Sequence, residues 1–83
     1  MTPEQVLEVI AKHEGWLQRK SGGERADLSG FDLSGFQLSR LNLQSVRLSG
    51  TNLSGSLLTA TDLSYADMFC ANLDGAELRD SIM

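Results

Sequence analysis

The sequence predicts an all-β solenoid, a four-sided coil of about three turns, closed at its N-terminal end by one α-helix. Three observations predict it. An apolar residue recurs at every fifth position from Leu28 onward, Ser and Gly crowd the positions after it, and the first twenty residues follow a helical apolar period instead. The change of period divides the chain into a helical cap and linker at 1–25 and a repeat at 26–83.

The helix comes first. Thr2 suits the N-cap, Pro3 the first helical position, and Gln5 completes a T-x-x-Q capping box. Val6, Val9, Ile10, His13, Trp16 and Leu17 then fall on one side at helical spacing. Gly15 weakens the middle by roughly 1 kcal/mol against Ala and is expected to divide the helix there. Arg19 and Lys20 suit a C-terminus, and Gly22-Gly23 is expected to stop the run. The apolar side is expected to cover the open first coil. Its contacts are Val6, Ile10, Trp16 and Leu17 against Phe31 and Phe36, with Trp16 as a core anchor.

A strict five-residue repeat follows the helix. Its centres are Leu28, Leu33, Leu38, Leu43, Leu48, Leu53, Leu58, Leu63, Met68, Leu73, Leu78 and Met83, without slip or insertion. Neither a helix nor a strand places every fifth residue on one face. A short extended stretch with two inward side chains, followed by a tight turn, does so; four such walls close a coil of twenty residues. The second inward residue lies two before each centre. It is small at most units but large at Phe31, Phe36 and Leu41. Gly30, Gly35, Gly50, Gly55 and Gly75 stand where the third residue of a type II turn needs positive φ. Corners carrying Arg40, Ser45, Ala60, Tyr65, Cys70 or Asp80 are expected to use other turn types. A leucine-rich repeat, which "LSRLNLQSVRL" at 38–48 resembles, is rejected because the five-residue step never pauses.

"RADLSG", "TNLSG" and "TDLSYADMFCANLDGAEL" resemble, unit by unit, the A-(D/N)-L-x-x units of the pentapeptide repeat family. The resemblance covers residues 26–83 and implies a right-handed, four-sided β-helix. The segment "AKHEGWLQRKSGGERADLSG" is similar to the lead-in of some bacterial members.

Composition narrows the function. Seven Lys and Arg against eleven Asp and Glu give a net charge of −4, all of it in the repeat, so direct binding to nucleic acid is not expected. No apolar run suits a membrane span, Cys70 has no disulfide partner, and a cytoplasmic location is expected. His13 has no Cys or His at ligand spacing and reads as a packed helix residue; Cys70 reads as an incidental thiol. Acids five residues apart, such as Asp27 and Asp32, point outward from adjacent walls and cannot converge on one bond. No catalytic, cofactor or metal site is expected. Asp27, Arg47 and Asp67 are expected to align on one wall as an acid–base–acid ladder.

The expected function is a non-enzymatic interaction or scaffold module with an unidentified protein partner. The resemblance implies an alternative, a DNA-mimicking inhibitor or protector of DNA gyrase, although three coils stand only about 15 Å tall. A spacer in a longer multidomain protein is the third reading. The last coil is expected to expose Leu78, Ile82 and Met83, making them candidates for a homodimer interface.

Overall fold

The computed structural model describes residues 2–83. One helix, α1 (Pro3–Leu17), precedes a chain that turns every five residues. The Thr2 hydroxyl accepts the Gln5 N–H at 3.2 Å while Gln5 Oε1 accepts the Thr2 N–H at 2.9 Å, so the capping box forms in both directions.

Two expectations about the other end of α1 are corrected. The helix stops before the Gly pair, at Arg19, which adopts the left-handed region at φ 57°. The Lys20 N–H donates to the Gly15 carbonyl at 2.8 Å and the Arg19 N–H to the Trp16 carbonyl at 3.0 Å, which satisfies the last turn as a Schellman motif. Nor does Gly15 divide α1, which runs unbroken to Leu17. Gly23 instead folds back across this point. A Cβ there would stand 2.4 Å from Trp16 N and 2.7 Å from the Gly15 carbonyl carbon. Glycine is required because the linker passes directly against helix backbone.

From Ala26 the chain stacks on itself with a period of twenty residues. Parallel bridges join Asp27, Arg47 and Asp67; Asp32, Asn52 and Asn72; Gln37, Leu57 and Glu77; and Asn42, Asp62 and Ile82. These four columns make three levels, 26–45, 46–65 and 66–83. Each wall pairs through a single bridging residue flanked by rungs such as Leu28 N–H to Arg47 carbonyl at 2.9 Å and Arg47 N–H to Ala26 carbonyl at 3.1 Å. The molecule is a β-helix solenoid.

The corners differ from expectation. All of them adopt positive φ at the same place, whether the residue is Gly30 (75°), Arg40 (61°), Ser45 (63°), Ala60 (59°), Tyr65 (62°), Cys70 (59°) or Asp80 (60°). Stacking is the reason. A level stays in register with the next only if every corner turns alike, and corner N–H groups are themselves rungs: Arg40 N–H donates to Thr59 and Ala60 N–H to Arg79, both at 2.9 Å. A non-glycine residue in the left-handed region costs roughly 1–2 kcal/mol, which the rung and the burial of the adjoining walls offset. Ala60→Gly removes that strain but loosens the unfolded chain. It is expected to raise stability by up to about 1 kcal/mol. A urea midpoint below that of the parent would show that the corner carries no strain.

Leucine columns fill the interior. Leu28, Leu33, Leu38, Leu43, Leu48, Leu53, Leu58 and Leu63 are buried, with Ala26 and Val46 beside them. Inward polar residues bond to the backbone: Thr51 Oγ1 donates to the Leu28 carbonyl at 2.7 Å, and Thr61 Oγ1 to Leu38 at 2.6 Å. Met68, Leu73 and Leu78, expected in the core, pack against it but are only half-buried, with no further level over them among the described residues.

Candidate functional site

The outward Asp and Asn residues have local work. Asp27, Asp32, Asn42, Asn52, Asp62, Asp67 and Asn72 each accept the backbone N–H two residues on, for example Ser34 N–H to Asp32 at 3.0 Å. Such Asx turns hold the entry to each corner. The hydroxyl and amide of Ser34 keep the Asp32 carboxyl below its ordinary 3.8, and those of Ser64 do the same for Asp62. Asp27, Arg47 and Asp67 do align in one column, but their side chains form no ion pair; among the described residues the one salt bridge is Arg79 to Glu77, exposed, at 3.9 Å. The Asx turn occupies one carboxylate oxygen and leaves the second free, as at Asp62, where Oδ1 accepts the Ser64 N–H at 3.0 Å and Oδ2 accepts the Gln44 side-chain amide of the level above at 2.7 Å.

The walls are therefore engaged in holding corners. The unsatisfied surfaces lie at the two ends.

At the N-terminal end, α1 lies diagonally across the first level. Val6 and Ile10 are buried against it, and His13 is fully buried at the corner between the last wall and the first. His13 Nδ1 accepts the Ala26 N–H at 2.9 Å, and Nε2 lies 2.7 Å from the Gln44 carbonyl. An amide N–H can only donate, so Nδ1 must be the bare nitrogen and Nε2 carries the proton that Gln44 accepts. One ring thus ties both ends of the first level to the helix. Arg25 Nε adds a bond to the Ser45 carbonyl at 2.6 Å. The N-terminal half of α1 reaches the opposite corner, where Pro3, Val6 and Leu7 line a groove with Gly35, Phe36 and Leu38.

This diagonal corrects the expected cap contacts. Phe36 and Leu41 are half-buried, with Phe36 on the diagonal, but Phe31 lies off it and remains 40 % exposed. Trp16 is no core anchor: it is 39 % exposed, stacked on His13 at 5.6 Å between ring centroids, with the Arg25 guanidinium 5.9 Å from its own. Leu17 is half-buried beside it. The residue that sequence reading undervalued is His13. The signal was present, since it occupies the apolar stripe of α1, but its two backbone partners lie thirteen and thirty-one residues away.

At the C-terminal end, no described residue covers the outer face of the third level's inward columns. Ile82 is 57 % exposed and Met83 63 %. Tyr65 and Phe69 are exposed at nearby corners, and Cys70 is an exposed free thiol. The N–H groups of Leu48, Leu53 and Leu58 donate to the level beneath. Their counterparts on Met68, Leu73 and Leu78 have no backbone acceptor among the described residues.

The fold and these ends define a solenoid protein of five-residue repeats, with its free valences at the ends of the stack. The chain belongs to the pentapeptide repeat family: the family model for pentapeptide repeats matches in eight copies, over residues 24–59 and 42–83. No curated protein matches the sequence. Among solved structures, the chain is similar to a pentapeptide repeat protein from the thylakoid lumen of Arabidopsis thaliana. The two share 24 % identity with a TM-score of 0.40, over 68 % of this chain and 60 % of that one. The match thus spans about three fifths of that protein's chain. No helix among the described residues is long and apolar enough to cross a membrane, and no cluster of His, Cys, Asp and Glu among them has the makings of a metal site.

Proposed function

We propose that this chain is a non-enzymatic protein–protein interaction or scaffold module, a right-handed, four-sided β-helix of about three coils that pairs with a second copy through its C-terminal end. The observation that carries this reading is the coincidence, at one end, of half-buried Met68, Leu73 and Leu78, exposed Ile82 and Met83, and a ring of backbone N–H groups without a backbone acceptor among the described residues. Uncovered strand edges and contiguous apolar surface both favour pairing. A second copy related by a two-fold axis presents the same surface and is self-complementary. Glu77, Arg79 and Asp80 on the rim supply charges of both signs for such a contact. The reading takes the protein as cytoplasmic, with Cys70 a free thiol.

Light scattering tests it. The expected mass is that of a dimer for the parent chain and of a monomer for the Met68→Lys, Met83→Lys variant. A monomeric mass for the parent at high concentration ends the proposal.

A further inference from the structure

We propose that His13 is a proton-operated latch, whose protonation releases α1 from the first level and uncovers the apolar N-terminal end of the solenoid while the lower levels stay folded. The ring makes two bonds to the first level. Nδ1 accepts from Ala26 and Nε2 donates to Gln44, an arrangement open only to the neutral ring. A proton added at Nδ1 would face the Ala26 N–H across 2.9 Å, donor against donor. The Gln44 bond survives, but the Ala26 bond is lost and a charge is placed in a site sealed from water.

From the linker, the Arg25 guanidinium repels an imidazolium; from α1, Glu14 attracts one, and the stacked Trp16 face also favours a cation. The first level presents the Ala26 amide and the Gln44 carbonyl, which do not titrate. Burial is the largest influence, and the net effect lowers the ring's pKa from its ordinary 6.5.

The sign follows. A histidine free of the clamp binds a proton near pH 6.5, whereas the clamped ring does so only at lower pH. Below 6.5 the released state therefore holds more protons, and docking of α1 weakens as pH falls through this window. Asp27, Asp32 and Asp62 have lowered values as well, so whatever they contribute is lost only at more acid pH, below 3.8.

Opening at this point is local because the second level is held by its own rungs to the third. What α1 gives up is the burial of Val6 and Ile10, the His13 clamp and the Glu24 N–H to Lys12 carbonyl bond of 3.1 Å. The uncovered face then resembles the C-terminal end, with apolar columns and open backbone groups.

Amide hydrogen exchange at pH 7.5 and 5.5, each rate divided by that of an unstructured chain at the same pH, tests the latch. Protection of α1 amides is expected to fall over this interval, by at most about tenfold, the limit for one linked proton, while the amides of 46–65 hold theirs. In His13→Gln, which keeps an acceptor and a donor but does not titrate, α1 protection is expected not to change with pH. The proposal is overturned by constant α1 protection in the parent chain, by parallel loss at 46–65, or by an unaltered pH response in the Gln variant. If that variant leaves α1 undocked at both pH values, the His13 ring titration in the parent decides by NMR: a pKa at or above 6.5 overturns the latch, and one below it supports the latch.

Discussion

Leu53→Asp is expected to leave the chain largely unfolded without denaturant. Leu53 is wholly buried at the middle of a column, with Leu33 above it and Leu73 below. The substitution forfeits roughly 2 kcal/mol of apolar burial, and an unpaired carboxylate in that interior costs several kcal/mol more. The neighbouring polar groups offer no relief, since Thr51, Ser56 and Thr61 already have their partners. A domain with total stability of about 5–15 kcal/mol does not absorb that loss. Leu73→Asp, one level lower in the same column, places its carboxylate on the open face, where water reaches it, and is expected to cost distinctly less. Asp32→Ala removes an exposed Asx turn and is expected to shift the urea midpoint only slightly. Equal midpoints for Leu53→Asp and Asp32→Ala would mean that the inward and outward positions have been exchanged.

That prediction rests on the most legible part of the sequence. The five-residue step names the columns without help from coordinates, because each inward position needs an apolar or small residue and each outward position tolerates a polar one. The corners were legible only where glycine marked them. At Arg40 or Tyr65 local propensity argues against a left-handed residue, but register with the neighbouring levels overrides it. Similar limits apply at the cap. The amphipathic stripe identifies the face of α1, whereas its diagonal course depends on where the Gly23 approach and the His13 clamp fix the linker. These are contacts between distant residues, with no periodic trace. The diagonal in turn decides that Phe36 packs while Phe31 stays partly in water.

Deleting residues 1–22 is expected to lower the melting temperature by more than about 10 °C and to reduce solubility. Val6 and Ile10 together bury enough apolar surface to contribute roughly 4 kcal/mol, and the two His13 bonds add about 1 kcal/mol each. Ordering a helix and its linker offsets part of this, since a fifteen-residue helix is marginal on its own. A net loss of even 2–3 kcal/mol corresponds to a shift of about 10–20 °C in a domain of this size. The deletion also leaves the Ala26 N–H and the Gln44 carbonyl without partners and opens the inward faces of Leu28, Leu33, Leu38 and Leu43. His13→Ala gives a graded version: it keeps Val6 and Ile10 in place but orphans the same two backbone groups, so its melt should fall between those of the parent and the deletion. Scanning calorimetry with parallel light scattering reads both effects. If the deleted chain melts where the parent does and remains soluble, α1 is an appendage, and the first level is stable without its cover.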